Sequence, residues 1–157
     1  MSTSTIPLEL QRYISDGVEV LYFEHWSQVT KGDWPWKNFT PRERACKRTG
    51  SLLLVPEYME RLQGLRTRLK RAMPVNSGFR SVQHNQLIGG GLAHPTGRAD
   101  DIGIFGNDAL ELVIMAREEG FTGIGVKQHG GIESRFIHLD DLQNDETRGP
   151  RPWLWSY

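Results

Sequence analysis

Cysteine occurs once in this 157-residue chain, at Cys46. A single thiol allows no internal disulfide, and it cannot supply a zinc finger or any other thiolate-based metal site. No apolar stretch approaches the roughly 20 residues of a membrane-spanning helix. Charge of one sign is also missing, because 19 Lys and Arg balance 19 Asp and Glu. That excludes the basic footprint of a nucleic-acid binder. The one basic cluster, Arg66 to Arg71, alternates with apolar residues and reads as the wet face of a helix. Internal repeats and low-complexity tracts are absent. The opening MSTSTIPLELQRY has no basic start followed by an apolar run, so no signal peptide is expected. A chain made in the cytoplasm would then need release or delivery to act beyond the inner membrane.

The length suits one compact domain. Residues 1–38 are rich in aromatics (Tyr13, Tyr22, Phe23, Trp26, Trp34, Trp36) and lack a long period. They read as an irregular lead-in that packs on a domain spanning 39–157. Thr40-Pro41-Arg42-Glu43 spells a capping box and predicts a short helix ending near Lys47–Gly50. Pro56 opens a longer one, with Met59, Leu62, Leu65, Leu69 and Met73 on one face and Pro74 as its stop. Val75–Phe79 is extended, and a short helix follows near Val82–Ile88. A strand is expected over Arg98–Ile104. The next helix is capped by Asn107 or Asp108, apolar at Leu110, Val113 and Ile114, and closed by Gly120. Strands follow at Gly123–Lys127 and Arg135–Leu139. Helices first and antiparallel-looking strands later make the fold class α+β.

The chemistry concentrates in two segments. In Ala93-His-Pro-Thr-Gly-Arg-Ala-Asp-Asp-Ile102, His94 lies in a loop and Gly97 permits the turn into the strand. Strand alternation puts Ala99 and Asp101 on one face. In Arg135-Phe-Ile-His-Leu-Asp-Asp141, residues Phe136, His138 and Asp140 share a face. If both strands belong to one sheet with matching faces, His94, Asp101 and His138 converge. Two imidazoles and a carboxylate leave an open position for water, as catalytic zinc sites do. The remaining histidines, His25, His84 and His129, read as ordinary surface or core residues. Cys46 reads as a small buried residue, and Gly89–Gly91 lacks the Lys-Ser/Thr of a phosphate loop.

These segments together resemble the zinc D-alanyl-D-alanine carboxypeptidases and peptidoglycan endopeptidases, the lysostaphin, D-Ala-D-Ala metallopeptidase and hedgehog-like superfamily, and its small phage or bacterial members in particular. Asn76-Ser-Gly-Phe-Arg80, Asn85 with Gly89-Gly90-Gly91, His94 with Asp101, and Phe136-Ile-His-Leu-Asp140 follow the family's order. Phe39-Thr-Pro-Arg-Glu43 and the closing Trp155-Ser-Tyr157 are similar to it as well. The resemblance implies helices packed on a small, mainly antiparallel sheet. It implies a Zn2+ ion on His94, Asp101 and His138, and hydrolysis of peptidoglycan peptides by an endolysin-like enzyme. The alternatives are a D,D-carboxypeptidase or dipeptidase, and a non-catalytic zinc-containing binding module. It also implies that Arg80 stabilises charge near the substrate carbonyl. Two positions depart from the pattern: Ala93 replaces a serine, and Arg135 stands where members often carry the acidic general base. Glu133 resembles the hedgehog domain's glutamate in Glu133-Ser-Arg135, and Asp140 and His129 are the other candidates for the base. The expected partners are peptidoglycan peptides, with no nucleic acid and no membrane insertion, and the expected state is a monomer.

Overall fold

The computed structural model describes residues 3–144 and 149–157, so the first two residues of the lead-in lie outside it. The chain forms five α-helices and seven strands among these residues. In order they are α1 (Leu8–Gln11), β1 (Leu21–Phe23), α2 (Pro41–Arg44), β2 (Leu52–Leu54), α3 (Pro56–Leu69) and β3 (Val75–Ser77). Then come α4 (Val82–Leu87), β4 (Ala99–Ile102), α5 (Gly106–Glu118), β5 (Gly123–Lys127), β6 (Phe136–Asp140) and β7 (Trp153–Ser156). The fold is α+β. Its main sheet runs β3-β4-β6-β5-β7, and β1 pairs with β2 in a separate ribbon. Every pairing is antiparallel except β5 with β7, which is parallel.

The α3 helix starts as its sequence directs, with Pro56 in the first turn, and buries Tyr58, Met59, Leu62, Leu65 and Leu69. It ends earlier than its periodicity suggests. Lys70 takes a left-handed conformation (φ 57°), and Met73 enters the core from the connection beyond. The α2 helix carries the expected capping box: Thr40 accepts from the Glu43 N–H, and Glu43 accepts from the Thr40 N–H. The buried face of α5 differs from the expected one. Ala109, Leu112 and Ala116 face inward, while Leu110 and Ile114 are exposed. Small alanines let this helix come close to α3 and β6, and Val113 and Met115 pack partly buried against the same core.

The lead-in is less irregular than its composition suggests. Leu10, Tyr13, Phe23 and Trp36 join the same core as α3 and the main sheet, and β1 pairs with β2 in register from Leu21–Leu54 to Phe23–Leu52. Cys46 is buried, as expected, with the Nδ1 of His84 at 3.3 Å from its sulfur. No helix among the described residues is long and apolar enough to cross a membrane.

One buried polar cluster fastens the helical layer to the sheet. Asp100 in β4 is fully buried and accepts from Arg44 Nη1 at 2.8 Å and from the Tyr58 hydroxyl at 2.6 Å. Arg44 also donates to the Gly97 carbonyl at 3.1 Å, so one guanidinium ties α2 to the turn before β4. Burial pushes the Asp100 carboxyl up to about 6, although Arg44 and Tyr58 pull it down. Removing one partner of such a pair leaves an uncompensated buried charge. We expect Arg44→Met to destabilise the fold by about 3–5 kcal/mol, read as a lower urea midpoint. A midpoint within error of the parent's would show that the cluster contributes little.

Candidate metal centre

The sheet order puts β4 and β6 side by side, with Asp101 directly opposite His138 and Ala99 opposite Asp140. The two chemistry-bearing strands are thus immediate neighbours. His94 arrives from outside the sheet, on a single 3-10 turn (His94–Thr96). Gly97 closes that turn at φ 73°, a conformation that favours glycine, and aims the chain into β4. A side chain at Gly97 would also press on the Leu53 carbonyl, so backbone space and conformation both demand glycine here.

His94, Asp101 and His138 come together as expected. Each offers one ligand atom, and these atoms lie within 4.8 Å of one another, all on buried residues. Asp101 Oδ1 stands 3.3 Å from His94 Nε2 and 3.0 Å from His138 Nδ1. The remaining ring nitrogens are committed. His94 Nδ1 lies 2.7 Å from the Gly78 carbonyl, which can only accept, so that nitrogen carries the proton. His138 Nε2 lies 2.9 Å from Asp140 Oδ2 and donates to it. Each imidazole therefore turns a lone pair towards the same carboxylate oxygen. Three such atoms, shielded from water, are held together only by shared protons or a cation. The residues fit a divalent metal of the kind that takes nitrogen and oxygen ligands, with a side left open.

The electrostatics agree. Where protons rather than a cation bridge the three groups, burial would raise Asp101, but hydrogen bonds from His138 and His94 hold its carboxyl well below the usual carboxylate range. Burial lowers His94 despite the pull of Asp101. Burial also acts to lower His138, yet its carboxylate partners Asp101 and Asp140 raise it overall. Burial opposes ionisation of Asp140 too, but bonds from His138 and Arg151 bring it down to about 2.

The cluster forms the floor of a cleft of about 590 Å³. One wall is the loop Ile88–Ala93, where Asn85 Nδ2 donates to the carbonyls of Gly90 (3.3 Å) and Gly91 (2.7 Å). The other wall is aromatic, built from Phe136, Trp153, Trp155 and Tyr157. Arg80 lines the cleft beside the cluster; its Nη2 donates to Asp101 Oδ2 at 2.9 Å and its Nε to Ser77 Oγ at 2.8 Å.

The three candidates for a general base lie elsewhere. Asp140 is fully buried, and both oxygens are taken: Oδ2 by His138 and Arg151, Oδ1 by Arg151 and the Leu142 N–H. Glu133 is exposed on the turn Ile132–Ser134, and His129 is exposed on the preceding loop. Neither lines the cleft, and Asp101 is the only carboxylate that does so among the described residues. Arg135, at the departing position, donates to the Gly130 carbonyl and pins that turn. Sequence reasoning did not single out Arg151, whose guanidinium grips Asp140 behind His138. Its only sequence signal is a cation between Pro150 and Pro152 in an aromatic tail.

A family model described as Peptidase M15 matches residues 37–140, about two thirds of the chain. No curated protein matches it. Titrated with zinc, the protein is expected to take up one ion per chain. His138→Ala is expected to lose that uptake, because an imidazole ligand leaves no substitute within reach. Equal stoichiometry and affinity in the variant would place the ion elsewhere.

Proposed function

The chain belongs to the peptidase M15 family, and from that premise we propose that it is a zinc-dependent peptidase of the bacterial cell wall, cutting stem peptides or cross-links of peptidoglycan in the manner of an endolysin. The observation that supports this most is the buried His94–Asp101–His138 set at the floor of an open cleft. Two imidazoles and one carboxylate are a ligand set of catalytic zinc centres, which keep one position open for water and substrate. A bound zinc ion would bring the pKa of water towards about 7 and polarise the scissile carbonyl.

The protein's own groups supply the rest of the proposed chemistry. Gly78 and Asp140 hold the two rings so that one nitrogen of each faces the cleft. Arg80 stands on the cleft wall next to Asp101, where its cation would stabilise charge developing on the substrate carbonyl oxygen. The aromatic wall shields that charge from water and offers apolar contact to the peptide. Proton transfer from water to the leaving amine is assigned to Glu133, whose carboxylate has no hydrogen bond or ion pair among the described residues, unlike that of Asp140. In this structure Glu133 does not line the cleft, so the assignment requires the turn Gly130–Ser134 to bring it in during turnover.

A second reading follows from the same fact. With Asp101 the only carboxylate lining the cleft among the described residues, the domain could bind zinc and a peptide without cutting it. A third keeps the enzyme but changes the bond, as a D,D-carboxypeptidase or dipeptidase. Incubation of the zinc-loaded protein with defined muropeptides, read by mass spectrometry, separates them. Cleavage within the stem or cross-link is the expected result, loss of a terminal residue would favour the carboxypeptidase, and intact muropeptides with tight zinc would favour the binding module. Arg80→Ala is expected to slow turnover by about 10²–10³-fold. Glu133→Gln is expected to retain zinc and lose on the order of 100-fold in rate. Parent-like turnover in Glu133→Gln would move the proton transfer to another group.

A further inference from the structure

The family match ends at Asp140, yet the chain after it returns to the metal centre. Arg151 meets Asp140 with a two-pronged guanidinium: Nε donates to Oδ1 at 2.8 Å and Nη2 to Oδ2 at 2.9 Å. Paired, parallel N–H bonds of this kind fix a carboxylate in plane and in position. The same Asp140 Oδ2 accepts from His138 Nε2. A direct line therefore runs from Arg151 through Asp140 to His138, and from His138 Nδ1 to Asp101. Asp140 is wholly buried and the Arg151 side chain nearly so, which shields their pairing from water.

A second contact from the same segment bears on the same ring. The Trp155 indole lies 5.1 Å from the His138 imidazole, centroid to centroid, and the Arg151 guanidinium stands 5.4 Å over that indole. Strand β5 makes room for both. A side chain at Gly123 would collide with the Asp140 carboxylate, and one at Gly125 would collide with the Trp155 ring. Two glycines at alternate positions of one strand thus clear the face on which Asp140 and Trp155 lie.

We propose that Arg151 is a positioning residue of the metal centre. Through Asp140 it holds the His138 ring with Nε2 as the N–H and Nδ1 turned to the metal. It thereby couples docking of the C-terminal segment Gly149–Tyr157 to occupancy of the site. The coupling is reciprocal: metal binding and segment docking favour each other by the same factor. The inference rests on the ligand set, not on the hydrolytic reading, and zinc binding tests it whether or not the protein cuts muropeptides.

The test is zinc affinity by chelator competition, with the ring nitrogens of His138 followed by NMR. Arg151→Ala is expected to weaken zinc about 10–100-fold, the usual effect of removing an outer partner of a ligand. It is also expected to shift the His138 ring-nitrogen signals towards a mixture of tautomers in the metal-free protein. Arg151→Lys keeps the charge but not the fork, and should recover only part of the affinity. In an Asp140→Asn background, Arg151→Ala should add little, because its action runs through that carboxylate. In the parent protein, zinc should slow hydrogen exchange of the Trp153 and Tyr157 amides, which bond to Thr122 and Val126. Parent-like zinc affinity and His138 signals in a folded Arg151→Ala protein would overturn the proposal. So would a full additive loss in the Asp140→Asn background. Should Arg151→Ala fail to fold, Arg151→Lys decides: the proposal falls if its zinc affinity and His138 signals match the parent's.

Discussion

Three groups that prefer water are held out of it where the His94 turn meets one step of the β4–β6 ladder, and much of the molecule answers to that constraint. An isolated buried carboxylate costs several kcal/mol even after relaxation. Here Asp101 is placed between two imidazole nitrogens and receives a guanidinium from Arg80 on its other oxygen. Each imidazole has its second nitrogen fixed, one by the Gly78 carbonyl and one by Asp140. The result is a site already organised for a cation, whose arrival replaces protons and relieves the crowding of lone pairs. Little rearrangement of the surroundings is needed, because the partners behind each ring are already in place.

The pleat of β4 separates two jobs between adjacent aspartates. Asp101 faces the cleft and the two imidazoles. Asp100 faces the opposite way, into the helical layer, where Arg44 and Tyr58 satisfy it. One dipeptide thus fastens the sheet to the helices and equips the site. The same division recurs in β6, where His138 and Asp140 face the site while Ile137 and Leu139 enter the core. Floor and core are two sides of the same strands, so Asp101 and His138 are anchored directly on the packed core. The walls of the cleft come from the glycine-rich loop Ile88–Ala93 on one side and from Phe136 and the aromatic C-terminal strand on the other.

Several parts were legible in the residues. The Thr40–Glu43 capping box, the apolar face of α3 and the strand alternation around Asp101 and His138 are local patterns, and they formed as local physics requires. That His94, Asp101 and His138 could meet was legible on the condition that their strands share a sheet, since alternation sets faces and Gly97 sets the turn, and the order of motifs in the family they resemble pointed to a metal. Other parts were not. The inward face of α5 went to alanines, because closeness to α3 and β6 selected small residues over Leu110 and Ile114. The ribbon of β1 with β2 joins segments about thirty residues apart, and no local period announces it. The tail was visible as an aromatic run, but its parallel addition to β5 was not.

Chain order and residue type by themselves determined which groups could bind a metal, which faces of two strands would carry them, and that the fold would mix helices with a small sheet. Those are consequences of side-chain chemistry and of the repeat of two along a strand. Only the tertiary structure decided that β4 and β6 are direct neighbours in a register that sets Asp101 against His138. It alone decided that Asp140 is sealed behind His138 by Arg151, that Glu133 stays outside the cleft, and that the tail becomes a wall. Register, burial and the reach of an arginine across the sheet depend on contacts between distant segments, and no local pattern encodes them.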